Sequence, residues 1–181
     1  LYTGRLAQEK NIPLLIETLE QLPETYFLLI AGEGSMKAWL EETGQTRAHG
    51  RLRFLGHLRD RDELGDLYAN ADAFLHPNPR EPFGIAPLEA MASGLPVIAP
   101  NAGGVLTYAN EANAWLARPF AADLAQAVMQ VFADTDGREG RTIAARRTAE
   151  EHSWPIVAGR FFDLFDELAR NASCEPALTP A

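Results

Sequence analysis

The stretch Ala73-Phe74-Leu75-His76, followed by Pro77-Asn78-Pro79-Arg80 and then by Glu81-Pro82-Phe83-Gly84-Ile85-Ala86-Pro87-Leu88-Glu89-Ala90-Met91-Ala92, decides the reading of this chain. The opening apolar run reads as a strand and the closing Leu88–Ala92 run as a helix. Between them lies a loop that carries the first of two carboxylates, Glu81. The second, Glu89, falls inside the helix. The first turn of a helix leaves its backbone amides without internal partners, and the helix dipole places positive potential there. Such an end suits a phosphate. Carboxylates on either side suit sugar hydroxyls, which donate hydrogen bonds to them. The stretch therefore suggests a ligand carrying both phosphate and sugar.

The same strand–loop–helix alternation continues in both directions. Strands are expected at Leu1–Thr3, Tyr26–Ala31, Leu52–Leu55, Ala73–His76, Pro96–Ala99 and Trp115–Ala117. Several are short continuous apolar runs, as in a parallel sheet covered on both faces. Helices are expected between them. Asn11 is read as the cap of the first and Pro13 as part of its first turn, with Ile12, Leu15, Ile16, Leu19 and Leu22 forming one face. Others are placed at Ser35–Glu42 with Ser35 as cap, Arg61–Asn70, Ile85–Ser93 and Asp123–Ala133. Beyond Asp136 the alternation stops, and helices at Arg138–Glu151 and Pro155–Arg170 follow. The second has more apolar surface than one packing stripe needs: Ile156, Phe161, Phe162, Leu164, Phe165 and Leu168. This predicts an α/β class with a mostly parallel sheet.

Bulk properties narrow the partners. The 181 residues are 46% hydrophobic, enough for a real core, and the net charge is −9 with no basic block. Nucleic acid and anionic membrane are poor partners for such a surface. A lone cysteine, Cys174, excludes a disulfide framework and favours a reducing, cytoplasmic setting. No apolar run is long enough to span a bilayer. The chain opens inside an apparent strand with no methionine, so it is read as a piece of a longer protein.

Polar and glycine residues gather after the expected strands: Gly4-Arg5 with Lys10, Gly32-Glu33-Gly34-Ser35, Gly56-His57, Asn78–Gly84, and Asn101–Gly104. Ligands of open parallel sheets bind at this edge. Arg5 and Lys10 could hold a diphosphate, or Arg5 could pair locally with Glu9. Gly32-Glu33-Gly34 lacks the third glycine of a dinucleotide fingerprint, since Lys37 stands in its place. Asp60-Arg61-Asp62 is read as a helix cap rather than a metal pair, and Asp134-Thr135-Asp136 as a helix-ending turn. His57 and His76 are lone histidines without a sequence-local partner. No histidine pair has zinc spacing, and no serine or cysteine sits on a nucleophile elbow.

Taken in order, these residues resemble the C-terminal, nucleotide-sugar-binding half of a glycosyltransferase of family 4. The resemblance runs from Gly4 to about Leu168. It is carried by Gly4-Arg5-Leu6, Glu9-Lys10-Asn11, Ile30–Gly34, Phe54-Leu55-Gly56, Tyr68, Ala71-Asp72, His76-Pro77 and the Glu81–Glu89 motif. Glu89-Ala90-Met91-Ala92-Ser93-Gly94-Leu95-Pro96-Val97-Ile98-Ala99 and Ala102-Gly103-Gly104-Val105 complete it. Two positions differ from the common pattern. Asn78 stands where many members have serine, and Glu111–Trp115 lacks the usual Asn-Gly.

The resemblance implies half of a GT-B architecture, with a Rossmann-like parallel sheet of about six strands and helices on both faces. It divides the chain into a nucleotide-sugar-binding domain at 1–152, a helix at 153–170 that packs on an acceptor-binding half, and a flexible tail at 171–181. It implies transfer of a hexose, with retention, from a nucleotide diphosphate sugar of the GDP-mannose or UDP-sugar type to a glycan or lipid acceptor. No metal or other cofactor is called for. Glu81, Arg5 and Lys10 would be catalytic. Gly4, Gly56, His57, Leu58, Phe83, Gly84, Ile85 and Glu89 would bind substrate, with His57 near the base and Glu89 on the ribose. Membrane contact would be peripheral and through the other half. A nucleotide-sugar epimerase, a non-catalytic nucleotide-binding module and a nicotinamide-dependent oxidoreductase are the rival readings.

Overall fold

A computed structural model of the chain describes residues 1–172; Cys174 and most of the expected tail lie outside the described residues. The elements run β1 (Tyr2–Thr3), α1 (Pro13–Gln21), β2 (Leu28–Ala31), α2 (Lys37–Arg47), β3 (Leu52–Gly56), α3 (Arg61–Asn70), β4 (Phe74–Leu75), α4 (Ile85–Ala92), β5 (Val97–Pro100), β6 (Trp115–Ala117), α5 (Ala121–Ala133), α6 (Thr135–Glu151) and α7 (Trp154–Ala172). Short 3₁₀ turns at Gln8–Lys10 and Gly104–Thr107 flank the ligand edge.

The strands form two parallel three-stranded ladders, β1-β2-β3 and β4-β5-β6. The single sheet of about six strands expected from the sequence is thus divided. The division is narrow. The Leu75 amide donates to the Leu1 carbonyl at 2.9 Å, and the Leu1 nitrogen donates to the Ala73 carbonyl at 2.8 Å. These two bonds place β1 beside β4 and give a spatial order of 3-2-1-4-5-6, whose direction of winding reverses between β1 and β4. Ladders in register, such as Ile98 opposite Trp115 and Phe74 opposite Val97, fix the faces.

Side chains alternate across the sheet with period two. Leu28, Ile30, Leu75 and Ile98 face one core with Leu15, Ile16, Leu19 and Leu40 and with Leu124, Val128 and Val131 of α5. Leu29, Phe74, Val97 and Ala99 face the other, with Leu88 and Met91 of α4, Tyr68 of α3 and Ala145 of α6. Both faces are covered, which explains why β5 is buried at every position.

Three local expectations are corrected. Asn11 does not cap α1. It lies in the left-handed region at φ 54°, and its amide donates to the Pro77 carbonyl at 3.0 Å instead. Ser35 does not cap α2, which begins two residues later. Asp134 ends α5 but also caps α6, its carboxylate accepting from the Gly137 amide at 2.8 Å, so α6 starts at Thr135 rather than Arg138. The Asp60 cap holds, with its carboxylate on the Asp62 amide at 2.9 Å.

The apolar face of α7 is open to solvent: Trp154 is 82% exposed and Phe162 67%, with Phe161, Leu164, Phe165 and Leu168 exposed beside them. Among the described residues no helix is long and apolar enough to cross a membrane.

Candidate functional site

The reversal in strand order sets the site. In open parallel sheets the crevice at the carboxyl ends of the strands opens at such a point. Here the loop after β1 and the loop after β4 meet across it. The Lys10 ammonium donates to both carboxylate oxygens of Glu81, at 2.9 and 2.8 Å. The Asn78 amide donates to the same carboxylate at 3.1 Å, while its own oxygen accepts from the Arg80 backbone at 3.0 Å. Asn78, the departure from serine, therefore joins Lys10 in orienting Glu81. The Glu81 side chain is only 11% exposed. Burial alone would raise its pKa, but the hydrogen bonds from Lys10 and Asn78 outweigh it and hold the carboxyl below its usual range.

Gly84 starts α4 at φ 87°, a left-handed value that glycine adopts without strain. No side chain caps this helix, and Pro87 in its first turn has no amide hydrogen. Ile85 and Ala86, whose first-turn amides have no partner within the helix, line the crevice. The loop is fixed from behind, where the Tyr108 hydroxyl donates to the Gly84 carbonyl at 2.6 Å. Gly103 and Gly104 also close on it. The Gly104 amide donates to the Glu81 carbonyl at 2.7 Å, and a β-carbon at Gly104 would collide with the Pro82 carbonyl.

Glu89 is held from β1 and α3. Thr3 and Tyr68 share a hydrogen bond of 2.6 Å, and the Tyr68 hydroxyl donates to the Glu89 carboxylate at 2.9 Å. Burial above all, with the neighbouring Glu89 charge, raises the Tyr68 pKa and keeps it a donor.

These groups line two adjoining cavities that share Thr3, Gly4, Arg5, Ile85 and Ala86. One, of about 260 Å³, also holds Lys10, His76, Asn78, Glu81 and Gly84. The other, of about 460 Å³, holds Gly32, Glu33, His57, Leu58, Leu64 and Glu89. Nine of the eleven sequence-derived site residues therefore line the crevice. Phe83 and Gly56 do not line it. The Phe83 ring packs edge-on against Tyr108, centroids 5.2 Å apart, and Gly56 binds Gly32 through its carbonyl at 2.7 Å. Arg5 lines both cavities, but its guanidinium pairs with Glu9 at 2.7 Å on the surface. A third cavity, of about 470 Å³, opens near Tyr26, Leu28, Asn70 and Phe132 at the amino ends of β2 and β4. Asp72 carries the one charged side chain among the described residues that line it, so no lysine or arginine there faces an anionic ligand.

Tyr68, Tyr108, Asn78 and Thr3 were not read from sequence as partners of the motif. The first two are spaced like core residues, and nothing local marks their hydroxyls as aimed at residues 21 and 24 positions away.

Residues 1–148 match the family described as glycosyl transferases group 1. The chain is 39% identical over 167 residues to the glycogen synthase of Mycobacterium tuberculosis, covering 87% of this chain and 40% of that protein. The sucrose-phosphate synthase structure from Thermosynechococcus elongatus is similar at a TM-score of 0.83 and 29% identity, over 94% of this chain and 45% of that one. The HepE structure from Anabaena in complex with UDP is similar at a TM-score of 0.76 and 25% identity, over 96% and 48%. The chain spans less than half the length of each of these proteins.

Proposed function

This chain belongs to the glycosyl transferases group 1 family, and on that premise we propose that it is the donor-binding half of a retaining glycosyltransferase of family 4. It takes a nucleotide diphosphate sugar of the GDP-mannose or UDP-sugar type and presents its hexose to a glycan or lipid acceptor. The observation that carries this reading is the pair of adjoining cavities, one built round Lys10 and Glu81 and the other round Glu89 and His57. They meet at Gly4, Arg5 and the start of α4. The diphosphate sits at that junction, the nucleoside runs toward His57 and Leu58, and the sugar runs toward Glu81. The UDP of the similar Anabaena structure supports a nucleotide in this fold.

Each group then has a task. Glu89 accepts hydrogen bonds from the ribose, with Tyr68 fixing its carboxylate. The α4 amides of Ile85 and Ala86 meet phosphate oxygens. As the anomeric bond breaks, negative charge grows on the leaving diphosphate. Lys10, the helix end and Arg5, once released from Glu9, stabilise that charge. Glu81, kept ionised by Lys10 and Asn78, orients the sugar hydroxyls and favours positive charge developing on the ring. Gly4 lets the backbone approach the diphosphate closely. Cations and helix amides do the work a metal ion would do elsewhere, so no cofactor is called for. The acceptor half covers the apolar face of α7, and the reaction is placed in the cytoplasm, where nucleotide sugars are available.

Two substitutions test the division of the crevice by calorimetry. Glu89→Ala is expected to weaken a nucleoside diphosphate and its sugar conjugate alike, by about 1–3 kcal/mol, through loss of the ribose contacts. Glu81→Gln is expected to spare the diphosphate and weaken only the conjugate. The reverse pattern, or unchanged affinity in Glu89→Ala, would contradict the assignment.

A further inference from the structure

His76 follows β4 directly and lines the same cavity as Lys10 and Glu81. It is 95% buried by residue, at 5% exposure, and its Nε2 has no hydrogen-bond partner among the described residues. Burial first, and Lys10 after it, hold the ring neutral against the Glu81 charge. A neutral imidazole carries one hydrogen, so Nε2 is left without either a donor or an acceptor.

A buried polar atom without a partner is costly, and native structures rarely leave one without reason. Lys10 and Asn78 donate to Glu81 and not to this ring. The partner is what fills the cavity. In the donor-site reading the sugar runs toward Glu81 and the nucleoside into the other cavity. A sugar hydroxyl both donates and accepts, so it pairs with Nε2 in either tautomer.

We propose that His76 Nε2 hydrogen-bonds a hydroxyl of the transferred sugar, making His76 a sugar-binding residue beside Glu81. This rests on the donor-site reading above. The pair divides the recognition: Glu81 takes hydroxyls as a charged acceptor held by Lys10 and Asn78, and His76 takes one as a neutral ring.

The test is titration of the chain and of His76→Phe with GDP, UDP and ADP and with GDP-mannose, UDP-glucose and ADP-glucose. Phenylalanine keeps a flat ring in the pocket and removes both ring nitrogens. The variant is expected to bind the nucleoside diphosphate as the parent does and the matching sugar conjugate roughly three- to tenfold more weakly. His76→Gln, whose amide both donates and accepts near the reach of Nε2, is expected to recover part of that loss. Equal affinity of His76→Phe for the conjugate overturns the proposal. So does an equal loss for diphosphate and conjugate, which would mark His76 as structural only. If the parent binds none of the six compounds, the donor-site reading itself fails and the proposal with it.

Discussion

At the scale of single residues, the site is governed by which carboxylates and rings keep their charge state. His76 illustrates the consequence for stability. Burial lowers its pKa from 6.5 to about 4. Between those values the unfolded chain binds a proton that the folded chain refuses. Stability therefore rises with pH across that window and is lost as the pH falls from about 6.5 toward 4, by about 3 kcal/mol when complete. Glu81 acts in the same direction at lower pH, because its carboxyl is held below the ordinary 4.5 and its contribution disappears as the pH falls through that depressed value. Denaturant melts of the parent and His76→Phe at pH 7, 6, 5 and 4.5 separate the two. The parent is expected to lose stability more steeply than the variant, and parallel curves would show that the ring is not held neutral by the fold.

At the scale of elements, the loop from Glu81 to Gly84 is the part that must keep its shape. It is buttressed by Tyr108 on its Gly84 carbonyl and by the Gly104 amide on its Glu81 carbonyl. Gly104→Ala is expected to destabilise the chain by about 2–4 kcal/mol, because the added carbon meets the Pro82 backbone, which cannot swing aside as a side chain would. A melt with an unchanged midpoint would show that the two loops are not packed this closely. The elements also show what sequence makes legible. All six strands and all seven α-helices among the described residues overlap the segments where apolar runs and helical periodicity placed them, because both sheet faces are covered and most strands read as apolar runs; β3, with Arg53 and alternating exposure, is the exception. Caps were less legible. Asn11 and Ser35 have capping side chains, yet a tertiary contact to Pro77 claims one and a later helix start leaves out the other. The break between the ladders was not legible either, since it depends on how few residues of β1 and β4 pair rather than on what those residues are.

At the scale of the whole molecule, the reversal of strand order between β1 and β4 gathers residues as far apart in sequence as Thr3 and Glu89 into one crevice. Motif spacing located the Glu81–Glu89 loop and the Gly4–Lys10 loop separately. The bidentate contact of Lys10 with Glu81 and the Tyr68 support of Glu89 required the fold. Arg5 remains on Glu9 at the surface, so its part in binding requires that surface pair to be exchanged for phosphate. Surface pairs of this kind contribute little, which makes the exchange inexpensive. The central claim is that this half alone carries the donor nucleotide. Calorimetric titration of the chain with GDP, UDP, ADP and NAD tests it most directly. The account predicts saturable binding of one nucleoside diphosphate, weakened by about 1–3 kcal/mol in Glu89→Ala, with no heat from NAD; binding of NAD in preference to every nucleoside diphosphate would contradict it.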